Sequence, residues 1–226
     1  MVKNHLSRLN APKSWPIQRK GIKFVTKPSP GLHSLRTSIP LSLVLIKLLK
    51  VARTNKEVKK ILNDGNILIN GKTIRKDKSY SVGVMDLITI PLVNQTYRIL
   101  YDRKGKFAVL PLDAKEKDLR AVKIVCKTIV KKNKMQLNYS NGINTFVDKD
   151  AYETGDTLLL AKDNSIKEHL KFEKGATIYL TGGRKVGRVC TLEDVKENNI
   201  VLKSEGELFE TTKRHAFVVG KLTMLH

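Results

Sequence analysis

Apolar positions recur with a helical period between Pro40 and Arg53: Leu41, Leu45, Leu48, Leu49 and Ala52 fall at i, i+4, i+7, i+8 and i+11. That stripe predicts one amphipathic helix, with Lys47, Lys50 and Arg53 stepping by three along another face. Thr54-Asn55-Lys56-Glu57 then reads as a capping box, in which the hydroxyl accepts from the Glu57 amide while the Glu57 carboxylate reaches back. A second helix should run to about Asp64, turning Val58, Ile61 and Leu62 inward and Lys56, Lys59 and Lys60 outward, with Gly65 as its stop. Directly after it, Asn70-Gly71 separates two β-rich triplets, Ile67-Leu68-Ile69 and Lys72-Thr73-Ile74. Both turn residues tolerate positive φ, so a tight hairpin follows, and Met85 to Ile90 closes the unit as a further strand.

Beyond residue 96 the period changes from helical to short β runs. Arg98–Tyr101, Phe107–Leu110, Val122–Val125 and Thr157–Leu160 are separated by turns such as Asp102-Arg103-Lys104-Gly105 and Ser140-Asn141-Gly142. This spacing predicts a small antiparallel barrel or sandwich. The last third repeats the logic. Ala176, Ile178 and Leu180 alternate with Thr177, Tyr179 and Thr181, the pattern of a half-buried strand. A glycine-rich basic turn, Gly182-Gly183-Arg184-Lys185-Val186-Gly187-Arg188, precedes strands expected near 188–192, 200–202, 207–211 and 216–219. At the other end, the prolines at 12, 16, 28 and 30 forbid a long helix, so residues 1–38 read as an extended arm. The fold class expected is α+β: a basic arm (1–38), a small two-helix-and-strand module (39–95), a central small β-barrel (96–170) and a C-terminal β domain (171–226).

Charge says what these modules meet. The 226-residue chain carries a formal net charge of +22, and its first 56 residues hold twelve Lys and Arg with no Asp or Glu. Such a segment repels itself and is best accommodated against a polyanion, whose counterions are released as the charges meet. Nucleic acid is the leading partner and an anionic membrane the second. No apolar run reaches the roughly 18 residues that cross a bilayer; the longest, Ile39 to Leu49, is broken by Lys47. No secretory signal is visible, and Cys126 and Cys190 lie 64 residues apart without a C-x-x-C, so a cytosolic protein without a disulfide framework or zinc site is expected.

Catalytic chemistry finds little footing. The glycine-rich turn lacks G-x-x-x-x-G-K-[ST] and joins two strands rather than opening a helix, so it does not read as a nucleotide loop. It reads better as an RNA contact, with Arg184, Lys185 and Arg188 offering donors to phosphates and the glycines allowing close approach; a solvated basic turn is the alternative. The five histidines, His5, His33, His169, His215 and His226, show no metal-ligand spacing. Asp148, Asp150, Glu153 and Asp156 cluster without the alternation of a calcium loop, and read as an acidic surface loop. Aromatics make up 6% of the chain, too few for extensive base stacking, which favours phosphate and shape recognition of folded RNA. The single tryptophan, Trp15, either stacks on a base or packs on the protein itself.

Taken together, the motifs resemble small-subunit ribosomal protein four of the archaeal and eukaryotic type. The resemblance rests on Asn4-His5-Leu6-Ser7-Arg8-Leu9-Asn10-Ala11-Pro12-Lys13-Ser14-Trp15, on Glu57-Val58-Lys59-Lys60-Ile61 with Ile69-Asn70-Gly71-Lys72, on Leu100-Tyr101-Asp102-Arg103-Lys104-Gly105-Lys106-Phe107, and on Thr181-Gly182-Gly183 with Gly187-Arg188. It implies that 39–95 is an S-four-type (alpha-L) RNA-binding domain and that 171–226 is an SH3-like barrel with a KOW motif. It implies a cytoplasmic, ribosomal, non-catalytic rRNA-binding protein with no cofactor, no metal and no small-molecule substrate. Its partners would be small-subunit rRNA and neighbouring small-subunit proteins, with neither membrane nor self-association. The chain stops soon after Phe217-Val218-Val219-Gly220-Lys221, where eukaryotic members continue with a basic tail, which implies an archaeal or shortened member.

The expected RNA contacts are Lys3, His5, Arg8, Lys13, Trp15, Arg19 and Lys20 in the arm, and Lys47, Lys50, Arg53, Lys56, Lys59, Lys60, Lys72 and Arg75 in the module. Lys104 and the turn residues Gly182, Gly183, Arg184, Lys185 and Arg188 complete the set. Two other function classes stay open at this level. An RNA-modifying enzyme would need a catalytic domain that the small basic β modules do not supply, and a translation or transcription factor would visit RNA only transiently.

Overall fold

The computed structural model describes residues 5–113, 116–130, 134–147, 151–204, 206–220 and 222–224. The chain is mostly β, with several antiparallel sheets and its few helices concentrated between residues 41 and 63. It folds as two units, one formed by residues 1–101 with 105–117 and the other by residues 102–104 with 118–226.

In the first unit, β1 (His5–Ser7) pairs with β2 (Phe24–Thr26). After β3 (Ser38–Pro40) and the helices come β4 (Leu68–Ile69), β5 (Lys72–Thr73), β6 (Ser81–Gly83), β7 (Leu87–Ile90), β8 (Gln95–Tyr101) and β9 (Phe107–Pro111). Strand β3 pairs with β6 across a long sequence gap, and the remaining five form a sheet in the order β5-β4-β7-β8-β9. Strands β8 and β9, which the sequence pattern assigns to a central domain beginning at residue 96, therefore pair with β7 and belong to this sheet. The antiparallel pairing of Leu87–Ile90 with residues 95–98 carries the first sheet across the boundary expected at residue 96.

The proline-rich segment is not a free arm. Ala11, Trp15 and Val25 are buried, and the Trp15 indole Nε1 donates to the Ser38 carbonyl at 2.7 Å. Of the two readings of Trp15, packing on the protein is the one realised, and its ring offers no stacking face to a base. Arg8 and Arg19 act likewise within the segment. Arg8 donates to the carbonyls of Gln18 (2.9 Å) and Phe24 (3.3 Å), and Arg19 to those of Leu9 and Ala11 at 3.0 Å each. Bonds of these guanidinium groups to backbone carbonyls replace the regular pairing that proline forbids.

The helix predicted over 40–53 is shorter and wider than its stripe suggests. Leu41–Leu43 forms one α turn, α1, which opens into a π-helix over Val44–Leu48, with the Leu49 amide donating to Val44 O at 2.9 Å. Lys50 then sits at φ 55, which ends the helix. Leu41, Val44 and Leu45 are fully buried, but Lys47, Lys50 and Arg53 share no helical face. The second helix, α2 (Asn55–Asn63), buries Val58 and Leu62 and is closed after Asp64 by Gly65 at φ 73. Asn70 and Gly71, both at positive φ (51 and 80), make the expected tight turn between β4 and β5.

The second unit contains two five-stranded antiparallel sheets. The first is built from β10 (Arg120–Val130), β11 (Lys134–Tyr139), β12 (Asn144–Val147), β13 (Thr157–Leu160) and β14 (Ile166–Leu170), in the order β12-β11-β10-β13-β14. Its core is Val122, Ile124, Leu137, Tyr139, Leu158 and Leu160. The second is built from β15 (Thr177–Leu180), β16 (Val189–Lys196), β17 (Asn199–Ser204), β18 (Glu207–Thr212) and β19 (Ala216–Val218), in the order β18-β17-β16-β15-β19. It packs Ile178, Leu180, Cys190, Leu192, Ile200, Leu202, Ala216 and Val218 together. Strand β15 is buried on both faces, since Tyr179 is as inaccessible as its neighbours Ile178 and Leu180, so the half-buried reading fails.

The two sheets are tied by a buried amine. Lys123 Nζ, on β10, donates to the carbonyls of Ala216 (2.6 Å), Lys213 (3.0 Å) and Arg214 (3.3 Å). Burial, aided by the charge of Lys213, pushes this amine down to about 8 from 10.5. A lysine with a depressed folded pKa binds fewer protons than in the unfolded chain between those two values, so stability rises with pH across that window. The second unit should gain about 3 kcal/mol between pH 8 and 10.5. Urea midpoints at the two pH values check this, and Lys123→Met should remove the gain.

Candidate nucleic-acid interface

A cap and a periodicity set the basic face of α2. Thr54 Oγ1 accepts from the Glu57 amide at 3.3 Å and donates to Glu57 Oε1 at 2.9 Å, while Glu57 Oε2 accepts from the Arg53 amide at 2.7 Å. The returning carboxylate thus reaches one residue further back than an ideal capping box, and the Arg53 and Thr54 hydrogen bonds lower its pKa. With Val58 and Leu62 turned inward, Lys56, Lys59 and Lys60 project into solvent. They form a cationic ridge fixed by a helix that is itself firmly capped. Lys72 and Arg75 lie on and after the neighbouring hairpin, both exposed, and Lys13 and Lys20 are exposed in the N-terminal segment.

A second basic feature lies alongside α2. A groove of about 810 Å³ is walled by the N-terminal segment (His5, Arg8, Phe24, Lys27), by α1 and its π turn (Ser42, Ile46, Lys47), by Arg53, Thr54 and Asn55 at the start of α2, and by Asp77, Lys78 and Ser79. Here Lys47 and Arg53 line one groove rather than sharing a helical face. Lys50, with its left-handed backbone, is exposed but does not line it. Lys27 and Lys78 are the members that sequence reasoning missed. Lys78 arrives through the β3–β6 pairing, whose register sets the Lys78 carbonyl 3.0 Å from the Ser42 amide, and no local pattern signals it. His5 stacks edge-on against Phe24, their ring centroids 4.5 Å apart. Lys3 lies outside the described residues.

The glycine-rich turn joins β15 to β16 in the second unit. Two of its glycines are demanded by the protein's own packing. A Cβ on Gly182 would stand 2.4 Å from the His215 ring, and one on Gly187 would stand 2.2 Å from the Asp102 carbonyl oxygen. Gly183 has a φ of 87, the left-handed conformation that the turn requires. The basic side chains separate as well. Arg184 is exposed, as expected. Lys185, expected to be equally so, is not: its Nζ lies 3.0 Å from Glu207 Oε2 and 4.1 Å from the Phe209 ring centroid. Arg188 is half-buried, and Lys104 is exposed in the Asp102–Gly105 turn. Arg184→Glu should consequently weaken RNA binding by several-fold at unchanged thermal stability, whereas Lys185→Glu should also lower stability. Filter binding and thermal unfolding of the two single variants check this.

Other chemistry is sparse. Among the described residues no three His, Cys, Asp or Glu side chains gather as metal ligands, and no helix is long and apolar enough to cross a membrane. Asp148 and Asp150 of the acidic cluster lie outside the described residues. Asp156 is not a surface acid at all: it is buried, accepting from the amides of Glu153 and Phe172 and contacting His169 Nε2 at 2.6 Å. The cluster therefore contains a structural carboxylate that anchors the loop before β13.

Comparison with known proteins gives a consistent answer. Residues 93–165 match the model of Ribosomal family S4e, and residues 2–36 match that of the RS4NT (NUC023) domain. The small ribosomal subunit protein eS4 of Methanosphaera stadtmanae is 39% identical over 97% of this chain and 93% of that protein. Its counterpart from Methanocaldococcus jannaschii is 38% identical over 96% and 94%. In three dimensions the chain is similar to the crystal structure of the 30S ribosomal protein S4e from Thermoplasma acidophilum. The TM-score is 0.71 at 28% identity, covering 81% of this chain and 95% of that one. With relatives this similar along nearly its whole length, the chain belongs to the ribosomal S4e family.

Proposed function

We propose that this chain is a structural, non-catalytic constituent of the small ribosomal subunit in the cytoplasm, and that it holds rRNA through phosphate and shape recognition. Membership of the S4e family carries the ribosomal role. The cationic ridge of α2 supports the mode of binding, because Lys56, Lys59 and Lys60 project together from one rigid, capped helix beside the tight Asn70-Gly71 turn. In this reading the helices and hairpin of 39–95 act as the S-four-type RNA-binding domain, and the sheet of 171–226 acts as an SH3-like KOW domain whose Arg184 reaches RNA. Residues 1–38 contribute Lys13 and Lys20, while Arg8, Arg19 and Trp15 hold that segment in shape. Neighbouring small-subunit proteins are the further partners. Sedimentation of lysate through sucrose at high salt tests residence: the protein should travel with small subunits, and its loss from that peak would point to a transient factor instead.

A further inference from the structure

The groove beside α2 has the composition of a site rather than of a crease. Its walls bring Lys27, Lys47, Arg53 and Lys78 together, and among the described residues none of the four forms a salt bridge. The single acid in the lining, Asp77, is turned into its own loop, where Oδ1 accepts from the Ser79 amide at 2.9 Å. Like charges around one concavity repel each other, and an anion lodged between them relieves that repulsion.

A second, independent observation comes from the lining. Ser42 is 1% exposed, lines the groove, and its Oγ meets no hydrogen-bond partner among the described residues. A buried hydroxyl left unpaired costs about 1–3 kcal/mol, and this one lies within the groove wall. Apolar surface completes the lining: Ile46, Leu43 and the half-exposed ring of Phe24. The volume, about 810 Å³, lies within the ~300–1,000 Å³ range of sites that enclose a small molecule. A planar apolar body, a polar edge and an anionic phosphate describe a nucleotide.

Building on the rRNA-binding reading, we infer that this groove receives one unstacked nucleotide of the rRNA. Its phosphate meets Lys47, Arg53 and Lys78, and its base lies against Phe24 and Ile46. The ridge of α2 would then grip the RNA backbone while the groove fixes register through a single extruded base, the mode by which proteins read unpaired RNA.

The test is ultraviolet crosslinking of the full chain bound to a small-subunit rRNA transcript, with adducts mapped by mass spectrometry, alongside rRNA affinities of wild type and Ile46→Glu. Ile46 is partly exposed, so the substitution should leave Trp15 fluorescence and the urea midpoint unchanged while placing a carboxylate against the incoming phosphate. A nucleotide adduct on Phe24 or its groove neighbours, with affinity lowered about tenfold, is expected. Phe24→Ala, on a half-exposed ring, gives the same readout should Ile46→Glu disturb the fold. Adducts confined to the α2 ridge or the glycine-rich turn, with both variants within twofold of wild type, would overturn the groove and leave rRNA binding standing. Adducts there from free nucleoside monophosphates but not from rRNA would also overturn it, making the groove a small-molecule site. Absence of saturable rRNA binding by the wild type would overturn the underlying reading as well.

Discussion

Asp86→Ala should cost the first unit about 3–5 kcal/mol, the scale of breaking a buried, hydrogen-bonded charge pair. Asp86 is 2% exposed and meets three polar groups, two of them from distant parts of the chain. Its Oδ2 accepts from the Gly83 amide and contacts His33 Nε2, both at 2.8 Å, and its Oδ1 accepts from Asn70 Nδ2 at 2.8 Å. Asn70 in turn accepts the Leu87 amide at 2.9 Å, so the carboxylate also holds the turn residue that sets the β4–β5 hairpin. Burial alone would lower the His33 pKa, but the hydrogen bond and charge of Asp86 outweigh it and raise the value above 6.5. A raised folded pKa means stability that is present below pH 6.5 and lost as pH rises through the folded value. The chain's single tryptophan lies in this unit, buried, so its fluorescence reports this unfolding alone. The urea midpoint should fall by more than about 1 M, and the pH dependence around neutrality should vanish in Asp86→Asn. A loss below about 1 kcal/mol would show that the cluster is not the keystone described.

Gly187→Ala should be the most damaging small substitution in the second unit, at about 2–5 kcal/mol. Two costs add. The φ of 80 is left-handed, worth roughly 1–2 kcal/mol for a residue with a Cβ. The new methyl would also stand 2.2 Å from the Asp102 carbonyl oxygen and 2.6 Å from its carbon, backbone that cannot swing away as a side chain can. Gly183→Ala separates the two costs. Its φ of 87 is equally left-handed, but its nearest neighbour is Thr211 Oγ1 at an ordinary 3.5 Å, so it should lose only about 1–2 kcal/mol. Hydrogen exchange at the Leu180 and Gly187 amides, which bond to Arg188 O and Leu180 O, reads both variants directly. Equal protection in the two variants would contradict the close approach.

Local chemistry was legible in the sequence wherever one residue decides one turn. Thr54 and Glu57 mark the start of α2, Gly65 its end, and Asn70-Gly71 the hairpin, because caps and left-handed turns depend on side chains a few positions apart. The strands at 157–160 and 200–202 were legible for a similar reason, through apolar runs bounded by turns. What remained hidden was set by partners far away in the chain. Nothing near Trp15 announces Ser38, and nothing near Ser42 announces Lys78. The helical stripe from Leu41 continues in sequence past the point where the π turn and the left-handed Lys50 end the helix.

The candidate interface divides along the same line. Exposed bases at helical spacing, Lys56, Lys59 and Lys60, could be named from periodicity alone. Arg8, Arg19 and Lys185 have the same residue chemistry, yet their donors serve the protein's own carbonyls or Glu207, which only the tertiary structure decides. A basic composition identifies the class of partner. Which cations remain available to that partner is a property of the fold.

Recognition of rRNA through its phosphates must make affinity depend on salt, and that dependence is the decisive measurement. Each neutralised phosphate should contribute roughly −0.7 to −0.9 to the slope of log affinity against log salt concentration. Wild type should show a steep linear fall, and replacing Lys56, Lys59 and Lys60 together by Gln should make the slope shallower by about three such contributions. An affinity nearly independent of salt would rule out phosphate recognition, and a slope unchanged in the triple variant would remove the α2 ridge from the interface.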